Sequence, residues 1–103
     1  MTYKFNQNNI FQGVLNILTS ENIYAIIESK EKVFAYLTQL EEMLNNEFPV
    51  YDSENEEYNS LLMMDFPLGI LKIMSPRLSY ETIEDLEIDI PVGNLMKEQL
   101  IVS

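Results

Sequence analysis

The stretch SKEKVFAYLTQLEEMLNN, residues 29–46, carries the longest unbroken helical period in the chain. Val33, Leu37, Leu40 and Leu44 recur at steps of four, three and four, which stacks them on one helix face. Phe34, Tyr36 and Met43 widen that stripe, while Thr38, Glu42 and Asn45 fall toward the opposite side. Ser29 is the expected N-cap, because its hydroxyl can accept from an unpaired backbone N–H of the first turn. Pro49 is the expected stop, since proline biases the residue before it away from the helical region. Such a stripe must be buried against something, and a sheet is the expected partner.

Upstream, Thr2 to Asn6 reads as a short edge strand with Tyr3 and Phe5 on one face. Asn9 reads as a helix cap with Gln12 as its capping-box partner. Ile10, Phe11, Val14, Leu15, Ile17 and Leu18 then follow at helical spacing to about Thr19. Gly13 weakens that helix by roughly 1 kcal/mol relative to alanine, so packing must hold it. Ser20, Glu21 and Asn22 form a polar break. Ile23 to Ile27 is a short run of β-branched and aromatic residues, the pattern of a strand covered on both faces.

Downstream, residues 47–57 (EFPVYDSENEE) lack periodicity and read as an acidic surface loop. Leu61–Met64 and Ile70–Met74 read as two strands joined at Phe66-Pro67-Leu68-Gly69, whose proline and glycine supply turn chemistry. Ser75-Pro76 breaks the second of these. Ser79 to about Asp85 reads as one or two helical turns, with Glu81 early, where the helix dipole favours negative charge. Leu86, Ile88, Ile90 and Val92 alternate with Glu87, Asp89 and Pro91, the pattern of a half-buried strand at an edge. A tight hairpin at Gly93-Asn94 would set Ile90 opposite Lys97 and bury the lysine, so residues 95–102 read as a short helix with a mobile tail, with a last strand as the alternative. The expected fold is one compact α+β domain over residues 1–103. It has a mostly antiparallel sheet of four or five short strands, with two main helices packed on it.

Composition narrows the function. A hydrophobic fraction of 47% is that of a globular protein, which excludes wholesale disorder. No run of 18 or more apolar residues is present, so no membrane span is expected. The first ten residues have neither a basic cluster nor an apolar core, so no signal peptide is expected. The absence of cysteine removes disulfides and thiolate chemistry and suits a cytoplasmic protein. The absence of histidine removes the commonest general base and the commonest transition-metal ligand. No cofactor and no metal are expected.

The net charge of −11 is unevenly spread. Lys4, Lys30 and Lys32 balance Glu21, Glu28 and Glu31 in residues 1–40. Residues 41–103 carry 14 acidic side chains against Lys72, Arg77 and Lys97, and so the whole excess. Direct binding to nucleic acid or to an anionic membrane is excluded on that ground, because phosphates would be repelled. A basic protein partner is allowed.

Two acidic clusters are the candidate sites, each with a plainer alternative. Asp52, Glu54 and Glu56 fall at the first, third and fifth positions of a calcium loop. However, Glu57 stands where that loop needs glycine, and Met63 where it needs a bidentate carboxylate, so the match fails. The same loop, Asp52, Glu54, Glu56 and Glu57, is flanked by Tyr51 and Tyr58. Tyrosines beside carboxylates suit a basic partner, although tyrosine also sits half-buried beneath loops. Glu84, Glu87 and Asp89 belong to the second cluster. On a strand, Glu87 and Asp89 would share one face roughly 6.5 Å apart, a spacing able to imitate a nucleic-acid backbone. The plain alternative is a solubilising face.

No catalytic set emerges. Glu41–Glu42 and Glu84–Asp85 are sequence neighbours, and helical neighbours point about 100° apart rather than into one pocket. Phosphate-cradling loops, nucleophile elbows and dinucleotide fingerprints are absent, and no enzyme activity is expected. In size, charge and missing chemistry the chain resembles the small acidic inhibitors made by phages and other mobile elements, the anti-CRISPR and anti-restriction proteins. That resemblance implies a non-enzymatic inhibitor that binds a basic nucleic-acid-handling protein. The alternative is a small interaction protein, such as an immunity protein, adaptor or assembly subunit. It would act through apolar surface built from Tyr, Met and Leu, with self-association allowed.

Overall fold

The computed structural model describes residues 2–103. The expected sheet is not there. Helix makes up 70% of the chain, and the strands among the described residues are β1 (Tyr3–Phe5) and β2 (Leu100–Val102). Between them run α1 (Gln7–Ser20), α2 (Lys30–Glu47), α3 (Glu56–Ser60), α4 (Phe66–Met74), α5 (Tyr80–Leu86) and α6 (Asp89–Glu98). The α+β reading with four or five strands is overturned in favour of a helical protein closed by one two-stranded ribbon.

The central stripe of α2 is buried as its period demands, with Val33, Leu37, Leu40 and Leu44 all in the core. Its partners are α1, α4 and β1 rather than a broad sheet. Ser29 does not cap it. Ser29 lies in a 3-10 turn, Ile27–Ser29, and its hydroxyl donates to the Ile26 carbonyl. The stop is as read: α2 ends at Glu47, two residues before Pro49. Helix α1 starts two residues ahead of Asn9, and Asn6 at its cap position makes no side-chain cap.

Three segments read as strands adopt other conformations. Ile23–Ile26 is an extended pass without a ladder, pinned where the Ile26 N–H donates to the Met74 carbonyl (2.8 Å) and Ser75 Oγ to the Tyr24 carbonyl (2.9 Å). Tyr24 is 81% exposed, so both faces are not covered.

The residues read as a hairpin, Leu61–Met74, form a π-helical turn (Leu61–Asp65) running straight into α4. Ahead of it, Asn55 Oδ1 accepts from the Tyr58 N–H (3.0 Å) and starts α3. In a regular α-helix Pro67 would clash with the carbonyl four residues back and leave it unpaired. The π turn, in which the Phe66 N–H donates to the Leu61 carbonyl, widens the backbone just before that proline. Gly69 is not a turn residue either. The Tyr36 ring of α2 covers the place its Cβ would take. Leu62, Phe66, Ile70 and Met74, at steps of four, are buried, as are Pro67 and Leu71. Helix α4 is therefore the inner helix.

The alternating run Leu86–Val92 splits by helical geometry. Ile88, Val92 and Met96, four apart, are buried, whereas Leu86 and Ile90 are 42% and 45% exposed. Glu87 closes α5 in the left-handed region (φ 53°), and Pro91 lies in the first turn of α6, where an N–H would have no helical partner anyway. Gly93 sits inside α6, and a Cβ there would stand 3.0 Å from the Met63 Cα of the π turn. The short helix expected from Ser79 is present as α5, and Ser79 caps it, its Oγ accepting from the Thr82 N–H (3.1 Å). Beyond α6 the chain becomes β2 instead of a loose tail.

The ribbon joins the two ends of the described chain. Tyr3 faces Val102, Lys4 faces Ile101 and Phe5 faces Leu100 in antiparallel register. Thr2 and Ser103 exchange both backbone bonds (2.7 and 3.0 Å). The outer edge of β1 is closed by side chains of α2. Asn45 Oδ1 accepts from the Tyr3 N–H (2.8 Å), Asn45 Nδ2 donates to the Tyr3 carbonyl (3.3 Å), and Glu41 Oε2 accepts from the Phe5 N–H (2.7 Å).

Candidate protein-binding surface

The acidic loop is folded by its own side chains. Asp52 Oδ1 accepts from the Glu54 N–H (2.9 Å), and Asn59 Nδ2 donates to the carbonyls of Ser53 (2.8 Å) and Asn55 (3.0 Å). Asp52, Glu54, Glu56 and Glu57 are all exposed. Glu56 and Glu57 occupy the first turn of α3, where the helix dipole favours negative charge, and Asp52 forms a local turn. Glu54 has no such local role.

The two flanking tyrosines separate in character. Tyr58 is buried, and Tyr51 is 41% exposed above it. Their rings meet edge to face at 5.7 Å, and Tyr58 meets Phe48 the same way at 5.7 Å. Tyr3 joins them, its hydroxyl donating to the Phe48 carbonyl (2.6 Å). Tyr51 is thus the tyrosine available to a partner, and Tyr58 is the floor beneath it.

Burial, with the neighbouring Tyr51 and Tyr3 adding to it, pushes the Tyr58 hydroxyl up to about 12; burial also raises Tyr3. A raised tyrosine favours the neutral ring in the folded state. Its contribution is complete below the unfolded value near 10 and is lost as pH climbs through the folded one. Ionising Tyr58 should therefore cost stability as pH climbs from 10 toward 12. Tyrosinate absorbance and circular dichroism followed together should show the last step in absorbance, that of the buried hydroxyls, arriving together with loss of helix. Ionisation of all six tyrosines near pH 10 with the helix intact would contradict the burial of this cluster.

Tyr51, Ser53 and Asn59 from the loop region face Lys97, Leu100 and Val102 from the end of α6 and from β2, across a cleft of about 200 Å³ with Tyr58 at its base. Sequence reading missed Lys97, Leu100 and Val102, because nothing local signals a contact between segments some forty residues apart.

The second cluster takes another geometry. Glu84, Glu87 and Asp89 do not form a row on a strand, so the regular spacing expected of Glu87 and Asp89 is lost. Glu84 and Asp85 are exposed in the last turn of α5, Glu87 caps its C-terminus, and Asp89 opens α6. Asp89 is well placed for the dipole of α6. The other three carboxylates stand at the negative end of α5, which has no base in its last turn. The two clusters are not brought together: they lie at opposite ends of α6, whose ten residues span about 15 Å.

A larger open groove of about 770 Å³ lies elsewhere, lined by Ile23, Tyr24, Ile26 and the segment Ser75–Leu78. Among the described residues no group of three or more acidic side chains is close enough to hold a metal ion, and no helix is long and apolar enough to cross a membrane. Comparison with protein-family models, with curated proteins and with solved structures finds no match.

Proposed function

We propose that this chain is a non-enzymatic binding protein of the cytoplasm that covers a basic surface on a nucleic-acid-handling protein and so inhibits it. The observation that carries this reading is the position of Glu84, Asp85 and Glu87. Exposed carboxylates at a helix C-terminus cost roughly 0.3–1 kcal/mol each against the dipole, and Glu87 also adopts a left-handed backbone. Neither placement helps the fold, whereas both suit a surface selected for its charge. Glu54 and Tyr51 extend the same logic to the loop. Without the strand-like row, the reading rests on charge complementarity that steers encounter and sets register.

The test is competition. Partners captured from the source cells should be basic, and an excess of duplex DNA or of RNA should release them. A partner that binds equally with and without nucleic acid would overturn the inhibitory reading. A second reading, an apolar interface, rests on Tyr24 and Ile27, 81% and 61% exposed, of which Tyr24 lines the larger groove. It predicts binding that persists when charge is screened.

A further inference from the structure

We propose that the outer edge of β2 is a docking site for an extended, lysine- or arginine-rich segment of a partner protein, which joins the ribbon as a third strand beside the acidic loop. The pairing pattern sets which backbone groups are open. Thr2 and Ser103 exchange both bonds, and the Asn6 N–H donates to the Gln99 carbonyl (2.9 Å). In an antiparallel ladder such pairs alternate, so Ile101 turns its N–H and C=O toward Lys4 while Leu100 and Val102 turn theirs away. No hydrogen bond joins the backbone of Leu100 or Val102 to any described residue. The other edge of the same ribbon is closed by Asn45 and Glu41, so the two edges are treated differently.

An open edge is a template for another strand, with main-chain bonds giving affinity and flanking pockets reading alternate side chains. Here the flanking pocket is the cleft holding the exposed face of Tyr51. Charge selects the occupant. The loop beside this edge carries Asp52, Glu54, Glu56 and Glu57 against the single Lys97 of the cleft, so a basic segment is attracted. A second copy of this chain would bring −11 to −11 and is disfavoured. This site rests on the basic-partner reading above and gives it a binding mode.

Amide hydrogen exchange on the whole chain tests it, with a blocked hexapeptide of alternating lysine and valine as the probe. In the free protein Leu100 and Val102 should exchange quickly and Ile101 slowly. The probe should slow Leu100 and Val102 by about tenfold or more and leave Ile101 unchanged. The same peptide with alternate amides N-methylated keeps its charge but cannot extend a ladder, and should give no protection. Val102→Pro removes one outward N–H without touching the bonds to β1 and should abolish the effect. If both peptides bind alike without protecting these amides, strand addition is wrong while the basic-partner reading stands. If an alternating glutamate–valine peptide binds as well, the charge argument fails and takes the basic-partner reading with it. No binding by any probe at low salt, or Leu100 and Val102 already protected in a self-associated free protein, would also overturn the proposal.

Discussion

Replacing Phe66 with alanine should destabilise the fold by about 3–5 kcal/mol. Phe66 is 2% exposed and is among the largest fully buried side chains. It opens α4, and its N–H closes the π turn on the Leu61 carbonyl. Truncation leaves a cavity between the inner helix and its neighbours that a close-packed interior fills only in part. A backbone N–H survives the substitution, so the loss reports packing rather than hydrogen bonding. Were residues 66–69 the turn of a hairpin, Phe66 would lie in solvent and its truncation would cost less than about 0.5 kcal/mol. Denaturant unfolding of the two proteins separates these outcomes.

Leu40→Ala in α2 should cost about 2–5 kcal/mol. Leu40 is 3% exposed, on the helix that packs against α1, α4 and β1. The next residue, Glu41, holds the Phe5 N–H of β1, so any relaxation of α2 into the cavity also loosens the closed edge of the ribbon. Loss of stability should therefore come with faster exchange of the Phe5 amide. A change within about 0.5 kcal/mol would mean that this stripe faces solvent.

Both long helices were legible in the sequence because their apolar residues repeat over several turns, as did Val33, Leu37, Leu40 and Leu44. β1 was legible from Tyr3 and Phe5, both buried on one face, and the short helix α5 from the turns read after Ser79 with Glu81 near their start. Leu61–Met74 was misread for a physical reason. Apolar runs of four or five residues fit a strand and a buried helix equally well, and Pro67 and Gly69 signal a turn in most settings. Here the π turn makes room for the proline and Tyr36 takes the space beside the glycine, and neither is a local property of those residues. Period two at Leu86–Val92 hid period four: Ile88, Val92 and Met96 form the buried set. Within the candidate site, the exposed acids and Tyr51 could be named from sequence. The open edge of β2 could not, because it depends on a pairing between the first and last strands.

Electrostatic recognition of a basic partner is tested most directly by the association rate of the captured partner across a salt series. Wild type is compared with Glu54→Lys/Glu56→Lys/Glu57→Lys and with the matching reversal of Glu84, Glu87 and Asp89. Exposed charges act over a Debye length of about 8 Å at physiological ionic strength, so the rates should converge as salt rises. At low salt, wild type should associate about tenfold or more faster than each folded variant, with a steeper dependence on salt. Equal rates and equal salt slopes for all three proteins would contradict it.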